Sequence, residues 1–403
     1  MGTMAQFAAR DAMRPDQQAN EQVSEQAARA RAGALLTVDL GAIRANYRQL
    51  RALAAPAACA AVMKADAYGL GMDAVAPALA QEGCRVFFTA HVEEGMRLRQ
   101  ILRRYSREDP TIYVLHGPPP GAAQDFITHG LTPVLNDPGQ VAEWRAAARA
   151  AGRTLPAAIQ FDTGMSRMGL APADLQALLD DPDALSGIQP VLAMSHLACA
   201  DEPAHPMNER QRERFAAALA ALRQRFPGLA GSLANSSGIF LGAGYRHDLV
   251  RPGAALYGIH PQPGHGANPL RQAVSLAARI VQTRVVQDGD IVGYGARYVA
   301  QGERRIATIS IGYADGWLRT LSGRGHAFID GQRVPFAGNV SMDSITLDVT
   351  GVQDERLAPG AAVDLLCAEQ TVDDVAAQVG TIGYEVLTRL GSRFYRHYVR
   401  DEG

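Results

Sequence analysis

The segment Cys59-Ala-Ala-Val-Met-Lys64-Ala-Asp-Ala-Tyr68-Gly-Leu-Gly71 holds an amine at the end of an apolar run of strand length, with two glycines close behind it. An amine at the rim of an apolar floor loses hydration. Its pKa falls, and the free base can attack a carbonyl to form a Schiff base. Taken alone, such a lysine reads more simply as a surface residue after a core strand. Other runs in the chain also end in polar residues: Gln160 with Arg167 seven positions on, Ser195-His196, Asn235-Ser236-Ser237-Gly238, and Arg251-Pro-Gly253. Singly, His196 is a structural histidine, Asn235 to Gly238 a helix cap, and Arg251 an ion-pair partner. The same small residues, with free N–H groups ahead of a helix, also suit a phosphate. A lysine, a phosphate cradle, two arginines and a histidine at one place fit a phosphate-bearing aldehyde. Pyridoxal phosphate is the leading candidate, because it needs a Schiff-base lysine, a phosphate site and a partner for its pyridine nitrogen.

These residues need a scaffold that brings strand ends together. Short β-rich runs recur at 59–63, 86–90, 111–115, 131–135, 157–161, 191–195, 232–234 and 249–251. Helical patterns lie between most of them, among others at 74–82, 92–103, 141–151, 175–179 and 208–225. Strands alternating with helices give a parallel sheet, and eight such units give a (β/α)8 barrel with its chemistry at the C-terminal strand ends. An open, doubly wound sheet is the alternative. A further run at 35–39 reads as a first strand, with Asp39 capping a helix over 40–53. After residue 276 the texture changes to alternating runs at 277–286, 291–298, 305–311, 327–336 and 344–349, with Asp330-Gly331 as a hairpin turn. Two helical stretches follow at 372–379 and 384–390, then a strand at 394–399. The reading is an α/β protein. A flexible extension spans residues 1–33, a barrel 34–275, and a mostly antiparallel β domain 276–403.

The chain has 403 residues, of which 47% are apolar and 20% charged, with a net charge of −2. That balance points to no nucleic acid and no polybasic membrane contact. No run is apolar enough to span a bilayer or to serve as a signal peptide. Four scattered cysteines, Cys59, Cys84, Cys199 and Cys367, argue against a disulfide framework or a metal site and suit a cytoplasmic setting.

The set of motifs resembles the barrel-type alanine racemase family. It comprises AVMKADAYGLG (61–71), DTGMSRMGL (162–170), SHLACADE (195–202), ANSSG (234–238), RPGAALYG (251–258), VGYGARY (292–298), IGYADGW (311–317), VSMD (340–343) and GYEVLTRLG (383–391). The resemblance runs through both domains. It implies a pyridoxal-phosphate isomerase that interconverts L- and D-alanine through two bases, in a homodimer with shared sites. The family serves D-alanine supply for the cell wall or catabolism.

Residue by residue, the resemblance implies that Lys64 carries the cofactor and is one acid/base group. Tyr294, reaching in from a second subunit, is the other. His196 supports that tyrosine, Arg251 faces the pyridine nitrogen, and Arg167 lies near the substrate carboxylate. Tyr68, Ser236, Gly253, Ala254 and Tyr384 hold the phosphate, while Tyr313 and Met342 of the partner line the substrate side. Two positions depart from the family. Gln160 stands where many members have a carbamylated lysine, so a bound anion or the amide oxygen is expected to orient Arg167. Asn339 and Ser341 replace a common arginine and cysteine. Both departures leave room for a broad-specificity amino-acid racemase. A decarboxylase on the related scaffold or a non-catalytic cofactor carrier is more remote.

Overall fold

The computed structural model describes residues 25–105 and 109–400. It divides into two compact units, Ile43–Arg271 and a second made of the chain before Ile43 together with Gln272 onward.

In the first unit, seven strands run parallel in chain order: Ala61–Val62, Val86–Thr89, Thr111–Val114, Thr132–Leu135, Leu155–Gln160, Ile188–Met194 and Ala230–Ser232. Leu249–Val250 closes the ring. On one side it pairs in parallel with Ala58–Cys59, where Ala58 N donates to Asp248 O at 2.8 Å and Ala60 N to Val250 O at 2.9 Å. On the other side Arg251 N donates to Ala234 O at 2.9 Å and Asp248 N to Gly231 O at 3.0 Å. Eight strand positions therefore make a closed barrel, not an open sheet. The strands are short and mostly apolar, as parallel strands covered on both faces tend to be. Phe87, Phe88, Ile112, Val114, Val134, Ala158 and Ile159 are all fully buried. Each large side chain of this kind contributes roughly 1.5–3 kcal/mol of burial. Asn46 pins the last turn of the barrel chain to the first helix: its amide donates to Leu256 O and Arg271 O and accepts from Arg271 N.

The second unit is built on one long strand, Val274–Val286. Its first half pairs antiparallel with Ala34–Asp39 and Ala362–Leu366, and its second half with Arg304–Ile309, after a register shift between Ile280 and Gln282. Ile345–Asp348 extends that half. His326–Ile329 and Gln332–Pro335 form a hairpin. Asp330 (φ 46°) and Gly331 (φ 78°) turn it, both in the left-handed region that an Asp-Gly pair tolerates.

Three expectations change. The strand expected at 35–39, within the span given to the barrel but outside its eight strands, is Ala34–Asp39 and belongs to the second unit, where it also pairs in parallel with Tyr395–Val399. The two compact units divide the chain at 42/43 and 271/272, where the sequence reading set its divisions at 33/34 and 275/276. Asp39 nonetheless caps the next helix as expected, accepting from Ala42 N at 2.8 Å. Of the extension expected to be flexible, residues 1–24 lie outside the described residues, whereas 25–31 are helical. Third, the strand expected over 291–298 is two short pieces, Ile291–Val292 and Tyr298–Val299, paired as a hairpin around Tyr294.

Candidate active site

The C-terminal end of the first barrel strand delivers Lys64. The backbone then enters a conformation that the sequence does not announce. Ala65, Asp66, Ala67 and Tyr68 all have φ between 53° and 57°, a complete left-handed turn ending in Gly69 at φ 83°. Each non-glycine residue held this way costs roughly 1–2 kcal/mol. The turn folds Tyr68 back beside the amine, with Lys64 Nζ 6.0 Å from the Tyr68 ring centre. Tyr68 packs in turn on Tyr257, ring centres 5.0 Å apart, and the Tyr257 hydroxyl donates to Val62 O at 3.0 Å. Lys64 is the only lysine in the sequence, beside 38 arginines.

Three further strand ends bring cations or cation-forming groups to the same mouth. After Leu155–Gln160 the chain makes a tight loop and returns at Leu170, whose N–H donates to Gln160 O at 2.8 Å. Asp162 organises that loop by accepting from the backbone N–H groups of Gly164, Met165 and Ser166. Burial opposes its charge, but those three bonds prevail and hold its carboxyl below the usual range. Arg167 stands exposed on the loop. After Ile188–Met194 come Ser195 and His196. A network anchored by Gln211 holds them: its amide donates to His196 O at 2.8 Å and to the Thr163 hydroxyl at 3.0 Å, and accepts from Ala198 N at 2.8 Å. Arg251 follows the last strand and is buried. Its guanidinium donates to Ser232 O at 2.8 Å, Ser195 O at 2.5 Å, Leu233 O at 3.4 Å, and the Ser232 hydroxyl.

These groups feel one another. Burial and then the charge of Arg167 pull the Lys64 amine below its ordinary value, against the opposing pull of Glu94. Burial, then Arg251, Arg167 and Lys64, push His196 well below the ordinary imidazole range, so it is neutral at pH 7. Burial lowers Arg251 to about 9, which still leaves it protonated at neutral pH. One carboxylate, Glu94, opposes three cations and an imidazole. Such a cluster suits an anionic guest.

The phosphate cradle expected from Ser236, Gly253 and Ala254 is compact. The Ser236 hydroxyl accepts from Gly253 N at 3.0 Å and Ala255 N at 3.2 Å. Asn235 caps the following turn, accepting from Gly238 N at 2.9 Å. Gly253 abuts the Tyr68 hydroxyl so closely that a Cβ there would collide with it.

Tyr294, Tyr313, Met342 and Tyr384 lie in the second unit. The first three are exposed, at 75%, 38% and 52%. Tyr294 sits on a turn made by Gly293 (φ 75°), Gly295 (φ 73°) and Ala296 (φ 49°). A cavity of about 350 Å³ beside it is lined by Gly293, Thr308, Ser341, Ser344 and Thr346. Tyr384 is half-buried on the helix Gly383–Arg389. Gln160 is buried at its strand end, and among the described residues no hydrogen bond joins its amide to Arg167.

Sequence reasoning passed over Glu94, His91 and His116. His91 and His116 also follow barrel strands, their rings 4.6 Å apart edge to face. Burial, then His91 and Lys64, lower His116. The signal was available, because His91 and His116 stand two residues past Thr89 and Val114 at ends of the same kind. Among the described residues, no group of three or more His, Cys, Asp or Glu side chains is placed to hold a metal.

The sequence descriptions of the alanine racemase N-terminal and C-terminal domains match residues 38–261 and 273–398. The chain belongs to the alanine racemase family. It is 53% identical over 370 residues to a catabolic alanine racemase of Mesorhizobium japonicum, covering 92% of this chain and 94% of that one. An alanine racemase of Methylobacterium nodulans is 50% identical over 367 residues, 91% and 96% of the two chains. Among solved structures, alanine racemase from Bartonella henselae with covalently bound pyridoxal phosphate superposes with a TM-score of 0.85 at 40% identity, covering 91% of this chain and 100% of that one. The alanine racemase of Streptomyces coelicolor A3(2) gives 0.86 at 35% identity, covering 92% and 99%.

Proposed function

We propose that the chain interconverts L- and D-alanine with pyridoxal phosphate as its cofactor. The observation that carries this reading is the barrel mouth, where the only lysine of the chain shares one electrostatic neighbourhood with Arg167, His196 and Arg251. The residues fit the cofactor. Lys64 would supply the amine for attachment, and Ser236, Tyr68 and the N–H groups of Gly253 and Ala254 the phosphate cradle; the family resemblance assigns Tyr384 to the same phosphate. When bound, pyridoxal phosphate withdraws electrons from the amino acid's Cα and so acidifies its C–H bond.

The rest of the mechanism is the chain's own. Inversion needs a proton removed from one face of Cα and returned on the other. Lys64, its amine pulled down by burial, holds the proton on one face. Tyr294, through its phenolic oxygen, holds it on the opposite face. Its exposure on a glycine-flanked turn supports delivery to a second copy of the chain, so the working enzyme is a homodimer with shared sites. Tyr313 and Met342, exposed in the same unit, line the substrate side with it. His196, kept neutral, can accept a hydrogen bond from that tyrosine and steady it as its proton moves. Arg251 is locked by backbone carbonyls and has no lone pair to accept a proton. Beside the pyridine nitrogen of a bound cofactor, it would disfavour protonation of that nitrogen and so limit side reactions. Arg167 takes the substrate carboxylate, with an anion such as chloride beside Gln160 to orient it. Four free thiols support a cytoplasmic setting. No described helix is long and apolar enough to cross a membrane.

A second reading, broader amino-acid racemisation, is favoured by Ser341 lining the cavity next to Tyr294. Circular-dichroism assays on L-alanine, serine, methionine, lysine and arginine, with added cofactor, decide between them. Turnover dominated by alanine supports the main reading. Comparable turnover of long side chains supports the second, and no turnover with cofactor bound to Lys64 rules out both. Tyr294→Phe should abolish inversion while one enantiomer still exchanges its α-hydrogen in D2O.

A further inference from the structure

The left-handed turn behind Lys64 has an external clamp. Glu94 is the third residue of the helix Val92–Leu102. One of its carboxylate oxygens does what an acid does at a helix start, accepting from Ala90 N at 2.8 Å and His91 N at 3.2 Å. The other leaves the helix and accepts from Ala65 N at 2.7 Å, the first amide after Lys64. One turn along the same face, Arg97 pairs with Asp66 at 3.1 Å and also with Asp73. Asp66 accepts from Met72 N at 2.9 Å, closing the turn onto the next helix. Two side chains of one helix thus grip two successive residues of a backbone stretch that L-residues avoid.

We infer that Glu94 is a positioning residue for Lys64, holding the left-handed turn at Ala65 so that the amine and the Tyr68 hydroxyl bear on the same guest. This rests on the reading that Lys64 is the cofactor's attachment point. The clamp needs both carboxylate oxygens. An amide has one acceptor, so Glu94→Gln turns an N–H toward another N–H on one of its two sides. Without the clamp, the turn relaxes toward ordinary backbone and the amine loses its aim.

The test uses the full-length holoenzyme and its Glu94→Gln, Glu94→Ala and Arg97→Ala variants. Hydroxylamine attack on the bound cofactor, followed by absorbance, reads how firmly Lys64 is held without reference to turnover. Both Glu94 variants should react roughly tenfold faster or more, the scale of one charge-assisted hydrogen bond. Their kcat should fall by a similar factor in both directions, with KM little changed. Arg97→Ala, a change at an exposed residue, should shift both readouts the same way but less, and it decides the matter should the Glu94 variants not fold. Wild-type hydroxylamine rates in the folded variants overturn the proposal. Borohydride trapping separates that result from failure of its premise. With one lysine in the chain, the trapped group maps to Lys64 or to the N-terminus, and the latter overturns the attachment reading itself.

Discussion

Gly253 and the Tyr68 hydroxyl share one space: a Cβ built on Gly253 would collide with Tyr68 Oη and lie 2.9 Å from its Cζ. Gly253 has no positive φ to explain it (φ −123°), so the requirement is steric. The backbone N–H of Gly253 donates to the Ser236 hydroxyl, so a displaced Tyr68 would disturb two walls of the proposed phosphate cradle at once.

Gly253→Ala should therefore weaken cofactor binding more than it weakens the fold. Overpacking of this kind costs roughly 1–3 kcal/mol, or about tenfold to a hundredfold in affinity. Fluorescence titration of the cofactor-free protein measures it. An unchanged dissociation constant would mean that Tyr68 can swing aside and is no wall of the cradle.

Arg251 gives the opposite balance. Its guanidinium holds the carbonyls of Ser232, Ser195 and Leu233, and it is 4% exposed. Arg251→Ala leaves those acceptors buried without donors, at roughly 1–3 kcal/mol each before relaxation. A loss of about 3 kcal/mol in urea unfolding is expected. A loss under about 0.5 kcal/mol would show that water replaces the side chain.

The residues that sequence reasoning placed at strand ends, and that the fold brings to the barrel mouth, share a simple trait. Lys64, His196 and Arg251 each stand at or just past the end of a short, mostly apolar run, and a parallel barrel strand has that pattern because both faces are covered. Ala34–Asp39 alternates between buried and half-buried positions, the pattern of a strand with one covered face, and this sets it apart from the barrel strands that follow it in the chain. The left-handed turn at Ala65–Tyr68 carries no mark, since none of its residues is a glycine. Glu94 was passed over because one of its oxygens does no more than a helix-start acid does; the other answers to Ala65, a long-range contact that spacing does not reveal. The break at Tyr294 was hidden in a run that otherwise alternates well, although its glycines at 293 and 295 are the kind that interrupt strands.

His196 predicts a pH dependence of stability. Its folded pKa lies well below the ordinary 6.5, with burial the first cause and Arg251 the second. As pH falls below about 6.5, the unfolded chain takes up a proton at this site and the folded chain does not. Stability tied to His196 is therefore fully present above that pH and lost as pH falls toward the folded pKa. The slope approaches about 1.4 kcal/mol per pH unit. Other histidines with lowered pKa values contribute in the same window, among them His247 and His326. The difference between wild type and His196→Gln isolates this one. Urea unfolding from pH 7 to 5 should give a shallower slope in the variant, and equal slopes would place the imidazole in solvent.

Asn339 leads to the last expectation. Its side-chain amide donates to the backbone oxygen of Tyr294 at 2.8 Å, bracing a turn whose glycines give it little stiffness of its own. Gly295 lies close by, with a Cβ position 3.8 Å from Asn339 Nδ2. Tyr294 is 75% exposed, so this hydrogen bond carries more of its aim than such a bond would in a core. Asn339→Ala removes about 0.5–1.5 kcal/mol of bracing, enough to lower kcat roughly threefold to tenfold if Tyr294 is the second base. The loss should fall on inversion. Exchange of the α-hydrogen of one enantiomer with D2O, which needs Lys64 alone, should persist at the wild-type rate. Asn339→Asp is the sharper variant, since it keeps the shape but turns an acceptor toward the Tyr294 carbonyl, and it should be the slower of the two. Inversion at the wild-type rate in both would show that the turn is held by its partner surface and not by Asn339.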